Sequence, residues 1–188
     1  MRYIDQTLTF ESDKVYYVEQ DIEFQVMMTW EDSIMKASAD YVCEGGGDIL
    51  EIGFGMGISA GYIQANSITS HTIVENHPQV IEKAKAWAAD KPNVTIVEGD
   101  WYDIKDSLST YDGIFYDTWA DDNVESFTTT LPNLTKSGAR ATWWNNFTDT
   151  DDAFYMEGTT YQALDVKPVG NIYFNSDVYH LPKMKFNA

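Results

Sequence analysis

The sequence lacks the residues from which several kinds of site are built. Cysteine occurs once, at Cys43, so no disulfide can form within the chain and no metal site of paired cysteines is predicted. No apolar run is long enough to cross a bilayer, and the first residues show neither the basic segment nor the apolar stretch of a secretory signal. These absences predict a cytoplasmic protein without a metal ion or a membrane partner.

Basic residues are also scarce, since 12 lysines and arginines stand against 30 aspartates and glutamates in 188 residues. The formal net charge of −18 would repel nucleic acids, so none is expected as a partner, whereas a cationic substrate would be favoured. The chain shows no repeat and no low-complexity linker. We therefore expect a single domain over 1–188, with 1–30 as a lid-like segment.

Short apolar strands alternate with amphipathic helices along most of the chain. Strands are predicted at 48–52, 72–75, 94–97, 113–117 and 139–144. Helices are predicted before the first of these strands, over 57–65, from 78, near 101–107, and up to about 131, where Pro132 should interrupt. The alternation predicts an α/β fold with a mostly parallel, doubly wound sheet, and runs at 161–166 and 178–181 predict an antiparallel carboxy-terminal edge.

A glycine-rich segment, Glu51-Ile52-Gly53-Phe54-Gly55-Met56-Gly57, joins the first of these strands to the next helix. Its glycines permit a tight turn and a close approach of backbone to ligand. Glu75, 20 residues beyond Gly55 at the end of the next strand, is placed to accept hydrogen bonds from ribose hydroxyls. The G-x-G-x-G spacing differs from the G-x-G-x-x-G of dinucleotide sites, which favours S-adenosylmethionine over a nicotinamide dinucleotide.

Further candidate residues follow the third and fourth strands of this series. Gly99-Asp100-Trp101 stands where a polar group and an aromatic ring can meet an adenine. Asp117 ends the fourth strand, and Glu31 begins the helix that precedes the first strand. A guanidinium is a planar fork of N–H donors, so two converging carboxylates would form a receptor for it.

The chain resembles the guanidinoacetate N-methyltransferases, a family of class I S-adenosylmethionine-dependent methyltransferases with a Rossmann-like fold. The resemblance rests on the ordered stretches Val26-Met27-Met28-Thr29-Trp30-Glu31, Ile49-Leu50-Glu51-Ile52-Gly53-Phe54-Gly55-Met56, Thr72-Ile73-Val74-Glu75, Gly99-Asp100-Trp101 and Tyr116-Asp117-Thr118-Trp119. This chain departs from the family's pattern at Trp119, where tyrosine is expected, and over 149–160, which is shorter.

The resemblance implies a role for each matching position. Glu31 and Asp117 would be catalytic. The implied cofactor-binding residues are Met35, Glu51, Gly53, Gly55, Met56, Gly57, Glu75, Asn76, Gly99, Asp100, Trp101 and Asp117. The implied substrate-binding residues are Trp30, Trp119, Asn146, Phe147 and Thr148, the last three in a loop whose backbone N–H groups would receive a carboxylate.

The implied reaction is methyl transfer from S-adenosylmethionine to the guanidino group of a guanidinoacetate-like small molecule, leaving S-adenosylhomocysteine. An arginine side chain in a protein presents the same planar cation, and a shortened, more open pocket would favour it. The sequence is also compatible with two different functions. The chain could be a methyltransferase for an unrelated small metabolite, or a non-catalytic cofactor-binding protein that acts through a partner.

Overall fold

The computed structural model describes residues 2–147, 150, 154 and 156–187. In this part of the chain the helices α1–α5 span Asp32–Cys43, Ile58–Gln64, Pro78–Ala88, Trp101–Ile104 and Phe127–Thr130. The strands β1–β10 span Thr9–Phe10, Lys14–Glu19, Ile22–Met28, Asp48–Ile52, Ser70–Glu75, Val94–Glu98, Tyr111–Tyr116, Thr135–Trp143, Thr160–Asp165 and Val178–Lys185. Within these ranges, every helix falls short of the length or apolarity of a membrane-spanning segment.

The larger sheet has seven strands in the order β6-β5-β4-β7-β8-β10-β9. The five strands from β6 to β8 in this order are parallel, and β10 pairs antiparallel with both β8 and β9. The predicted doubly wound α/β fold with an antiparallel carboxy-terminal edge is therefore confirmed. The strand order reverses at β4 and β7, so a crevice for a ligand is expected where these two strands end.

The central strands are buried on both faces, which is why they read as nearly continuous aliphatic runs. On one face, Ile49 and Phe115 pack with Met35 of α1. On the other face, Leu50 packs in a cluster that contains Phe127 of α5. This two-sided core holds the carboxyl ends of β4 and β7 rigidly side by side.

Residues 9–28 form a separate three-stranded antiparallel sheet, an element that the sequence analysis did not predict. β2 and β3 are joined by a tight turn at Gln20 and Asp21, which have positive φ angles of 52° and 62°. The buried Val15 and Tyr17 of β2 belong to the same core cluster as Ile73 of the larger sheet. The small sheet is thereby anchored on the larger one.

The chain between β7 and β8 is less regular than predicted. The four-residue α5 lies between 3-10 turns at Val124–Ser126 and Leu131–Leu134. Pro132 falls inside the second of these turns, and the α-helix has already ended before it. Burial of Phe127 and Leu131 fixes this segment against the sheet, so packing rather than helix length decides its position.

Replacing Gly113 of β7 by alanine is expected to weaken the fold. The added Cβ would lie 2.2 Å from the backbone oxygen of Val42 in α1, so α1 would have to move off the sheet. We expect a loss of about 2 kcal/mol in the free energy of unfolding, measured by urea denaturation. Gly61→Ala is the matched control, because no described atom outside the adjoining residues and the backbone of its own helix lies within 4 Å of the added Cβ. Equal stability of the two variants would contradict this packing.

Candidate active site

The loop between β4 and α2 is shaped by glycines in the left-handed region. Gly53, Gly55 and Gly57 have φ angles of 94°, 53° and 74°. A Cβ on Gly53 would lie 1.9 Å from the backbone oxygen of Asp117. Glycine at this position therefore lets the loop touch the end of β7.

A cavity of about 310 Å³ opens beside this loop, at the carboxyl ends of the central strands. Its volume lies at the lower end of the range usual for small-molecule sites. The structure brings together most of the predicted site residues here. Those that line the cavity are Glu31, Gly53, Gly55, Glu75, Asn76, Gly99, Trp101, Asp117, Trp119 and Asn146.

Several predicted residues lie outside the described lining. Met35 is a correction, because its side chain is fully buried in the core cluster of α1 and reaches no ligand space. Trp30 stacks on Phe174, with ring centroids 5.7 Å apart. Phe147 is 44% exposed and does not belong to the described lining. Thr148 falls outside the described residues.

Four further residues predicted to bind the cofactor are not among the described residues that line the cavity. The Met56 N–H is directed at the sulfur of Met27, 3.3 Å away. Asp100 caps α4, where its carboxylate accepts the N–H of Tyr102 at 2.9 Å. The four predicted residues that do not line the cavity are Glu51, Met56, Gly57 and Asp100.

Glu75 projects from the end of β5 into the cavity and is held there by the backbone. Its Oε2 accepts the N–H of Phe54 at 2.9 Å, and its Oε1 accepts those of Asn76 and His77 at 2.8 Å. Burial raises the pKa of Glu75, although these hydrogen bonds oppose the rise. Oε1 already accepts two N–H groups, whereas Oε2 accepts one and keeps lone-pair capacity for a ligand hydroxyl, which suits the predicted ribose contact.

Asp121 was missed by the sequence reasoning, although it also lines the cavity. It accepts the indole N–H of Trp101 and the hydroxyl of Tyr116, each at 2.5 Å. The backbone N–H of Asn123 donates to its second oxygen at 2.7 Å. Asp121 therefore links the end of β7 to the start of α4 through its hydrogen bonds. No sequence motif indicated this link.

The amino-terminal segment supplies one wall through Tyr3, Val26 and Met27. The side-chain amide of Gln79 makes two hydrogen bonds to the backbone of Leu8. It accepts the Leu8 N–H at 2.7 Å and donates to the Leu8 oxygen at 3.2 Å. That this segment opens and closes over the cavity stays a prediction.

Glu31 enters the cavity from the 3-10 turn Thr29–Glu31 that precedes α1. Although it stands at the start of the helix, its side chain turns back and accepts the N–H of Met28 at 2.9 Å. Only 3% of its surface is exposed. Burial raises the pKa of Glu31, and the negative charge of Asp117 raises it further.

Asp117 lies one residue beyond β7, where its N–H donates to the Ile52 oxygen of β4 at 2.9 Å. Its side chain faces the same cavity as Glu31. Burial raises the pKa of Asp117, and the charge of Glu51 adds to the rise. The structure thus places two carboxylates, remote in sequence, close enough to oppose each other's ionisation.

Tyr173 is a second residue that the sequence did not reveal. It lies in the chain between β9 and β10 and donates its hydroxyl to Glu31 at 2.5 Å. Its ring packs against Trp30 and Trp144, at centroid distances of 5.7 Å and 6.4 Å. Nothing in the spacing of the tail signals this contact, because it depends on a long-range return of the chain.

The charged side chains among the described residues that line the cavity are all acidic. Its acidic lining residues are Glu31, Glu75, Asp117 and Asp121. Among the described residues that line it there is no lysine or arginine. Such a site favours cationic ligands and disfavours a ligand carboxylate.

Comparisons with known proteins point to one family. The family described as guanidinoacetate N-methyltransferase matches residues 9–142. Protein arginine N-methyltransferase 2 of Aspergillus oryzae is 42% identical over 127 residues, covering 64% of this chain and 30% of that protein. Its namesake from Candida glabrata is 29% identical over 218 positions, covering 98% of this chain and 52% of that protein. The chain thus spans about a third to a half of the length of these relatives.

Solved structures share the fold at low sequence identity. Spermidine synthase from Thermotoga maritima gives a TM-score of 0.66 at 12% identity, covering 95% of this chain and 72% of that chain. Precorrin-6y C5,15-methyltransferase from Geobacter metallireducens gives 0.61 at 15% identity, covering 92% and 94%. This likeness concerns the Rossmann-like fold alone.

Asp117→Asn is expected to stabilise the ligand-free protein near pH 8. An unfolded aspartate loses its proton near pH 4, whereas the raised pKa of Asp117 keeps it protonated to higher pH in the folded chain. The wild type therefore loses stability as the pH rises from about 4 through that raised value. We expect a gain on the order of 1 kcal/mol near pH 8 and none at pH 4, from urea denaturation of both proteins.

Asp106→Asn is the control, because the Asp106 side chain is 93% exposed and its charge is solvated in both states. A gain for Asp117→Asn that is independent of pH, or a loss near pH 8, would contradict the assigned burial.

Proposed function

The chain belongs to the guanidinoacetate N-methyltransferase family, a family of S-adenosylmethionine-dependent class I methyltransferases, and we propose that it methylates a guanidino nitrogen. The observation that carries this proposal is the pair formed by the buried Glu31 and the partly buried Asp117 in the cavity beside the glycine loop. The pair provides two fixed carboxylates where a flat cation with paired N–H donors would bind. A guanidinium meets that description.

The residues of the cavity fit S-adenosylmethionine. Gly53 and Gly55 line the cavity without side chains, so a ligand can lie against bare backbone there. Glu75 would take the ribose hydroxyls, and Gly99 and Trp101 would border the adenine. The buried indole N–H of Trp119 has no partner among the described residues and can serve a ligand. When bound, the cofactor supplies an electrophilic methyl carbon on a sulfonium, leaving S-adenosylhomocysteine.

Glu31 and Asp117 would hold two of the three guanidino nitrogens and keep positive charge on them. The third nitrogen is then oriented with its lone pair toward the methyl carbon, so catalysis rests on positioning and electrostatics. A carboxylate of raised pKa is also suited to take the proton that this nitrogen loses. Tyr173 and the Met28 N–H fix Glu31 in place for this role.

An arginine side chain of a protein is the acceptor that we favour. The described cavity lining has no cation to pair with the carboxylate of guanidinoacetate. The loop predicted to receive that carboxylate has already used two of its backbone donors. The Asn145 N–H donates to the hydroxyl of Tyr179 at 2.7 Å, and the Phe147 N–H donates to the Asn145 side chain at 2.9 Å.

The names of the curated relatives support the same acceptor, and the net charge of −18 favours a basic polypeptide. A guanidinoacetate-like small molecule is the second candidate, supported by the description of the matching family. The two candidate acceptors carry different groups around the guanidino nitrogen, so an assay of both under the same conditions distinguishes them.

We expect Glu31→Gln and Asp117→Asn each to lower the rate of methyl transfer at least 100-fold. Their affinity for S-adenosylhomocysteine should stay within about twofold, because both side chains act on the acceptor. The assay uses labelled S-adenosylmethionine with guanidinoacetate, free arginine and an arginine-containing basic peptide. Glu82→Gln is the control, since the Glu82 side chain is 78% exposed.

Transfer to the peptide alone supports the protein acceptor, and transfer to guanidinoacetate alone supports the small-molecule one. Normal turnover in either carboxylate variant would refute the assigned roles. A wild type that binds S-adenosylhomocysteine but methylates none of the three would refute guanidino transfer. That result would favour another metabolite or a non-catalytic role.

Glu75→Gln is expected to weaken binding of S-adenosylhomocysteine about tenfold, because the amide replaces a charged acceptor by a neutral one. Isothermal titration calorimetry measures this affinity directly. The matched control is Glu98→Gln, at the end of the neighbouring β6, whose side chain is 53% exposed. Unchanged affinity in the Glu75 variant would show that Glu75 does not hold the ribose.

A further inference from the structure

The connection between β9 and β10, residues 166–177, exposes apolar side chains next to the acceptor site. Tyr173 of this connection donates its hydroxyl to Glu31 at 2.5 Å. Val169 and Ile172 of the same connection are 78% and 70% exposed. These fractions are the highest for large apolar side chains in the part of the chain that the structure describes. The proposed transfer itself gives these two side chains no role.

Hydrogen bonds to a buried side chain hold this connection in one shape. Gln25 of β3 is only 5% exposed. Its amide nitrogen donates to the Gly170 oxygen at 3.1 Å, and its amide oxygen accepts the N–H of Ile172 at 2.9 Å. The N–H of Val166 donates to the Asp177 oxygen at 2.9 Å and closes the base of the connection. The backbone of Ile172 is therefore fixed where its side chain meets solvent.

The exposed apolar side chains lie beside the acceptor cavity. Val169, Ile172 and Tyr173 line a second cavity, and Tyr173 lines the first one as well. The Cα atoms of Ile172 and Tyr173 are about 3.8 Å apart because the two residues are consecutive. An extended polypeptide advances about 3.3 Å per residue. A polypeptide with its arginine in the first cavity would therefore bring neighbouring residues over the second.

Charge selects the kind of molecule that would cover this surface. The described lining of the first cavity is acidic, and the chain carries a net charge of −18. A second copy or an anionic membrane would be repelled, whereas a basic polypeptide would be attracted. The second cavity is lined by one charge of each sign, from Lys167 and Asp177. Its preference among basic polypeptides would therefore come from its apolar side chains.

We propose that Val169 and Ile172 form a docking surface for the substrate polypeptide, where they contact an apolar side chain close in sequence to the acceptor arginine. This inference rests on the proposed function and adds a requirement to it. The preferred acceptor is a basic polypeptide with an apolar residue near the methylated arginine. The surface contributes to binding of the polypeptide, and transfer stays with Glu31 and Asp117.

A set of basic peptides tests this inference through kcat/KM. Each peptide has a single arginine among lysines and serines, and a leucine replaces serine at each of the nearest positions in turn. For the wild type, leucine in at least one position should raise kcat/KM about tenfold over the leucine-free peptide. The double variant Val169→Ser with Ile172→Ser should keep less than about a twofold preference, because the apolar contact is lost.

Val18→Ser with Ile22→Ser is the matched control, because both side chains are 56% exposed and undergo the same chemical change. Ile22 lies about 17 Å along β3 from Met27, the residue of that strand's end that lines the first cavity. This control should keep the wild-type preference for leucine. Urea denaturation and binding of S-adenosylhomocysteine confirm that both double variants are folded.

Three results would overturn the docking surface. They are a wild type without any leucine preference, a preference that survives Val169→Ser with Ile172→Ser, and a preference lost equally in the control. Sedimentation velocity adds a fourth, because a wild-type dimer that becomes monomeric only in Val169→Ser with Ile172→Ser would assign the surface to self-association.

Failure of the proposed function gives a different result. Transfer to guanidinoacetate but to no peptide would remove the docking surface and leave guanidino transfer standing. Transfer to no guanidino acceptor at all would remove the proposed function, and the docking surface with it.

Discussion

The site depends on one constraint, the placement of two carboxylates, those of Glu31 and Asp117, in the lining of a single cavity. Glu31 and Asp117 each lose solvation where they lie, and the charge of one opposes ionisation of the other. The Met28 N–H and the Tyr173 hydroxyl offset part of this cost for Glu31. On the proposed function, a guanidinium bound between them would offset the remainder.

The sheet fixes the distance between the cofactor loop and the acceptor side. Asp117 continues the hydrogen bonding of β7 to β4 through its N–H, and its backbone oxygen sits where any side chain on Gly53 would have to be. The loop that would hold the cofactor and the residue that would hold the acceptor therefore touch through backbone. A bulky group at Gly53 would disturb both halves of the site together.

The sequence predicted the parts of the site that depend on local pattern. Alternating strands and helices, the glycine loop and Glu75 follow from periodicity and spacing, and the structure places them at one edge of the sheet. Tyr173 and Asp121 could not be found this way, because their contacts depend on where distant segments return. The prediction for Met35 was wrong, because a match to a family motif does not reveal which side of a helix faces the core.

The count of protons exchanged on binding tests the carboxylate pair most directly. The protein saturated with S-adenosylhomocysteine is titrated with methylguanidinium near pH 7 in buffers of different ionisation enthalpy. Because a bound cation favours the ionised forms of Glu31 and Asp117, we predict binding with release of a measurable fraction of a proton, and a smaller release in Asp117→Asn, where only Glu31 can contribute. Binding without proton release, or equal release from that variant, would contradict the account.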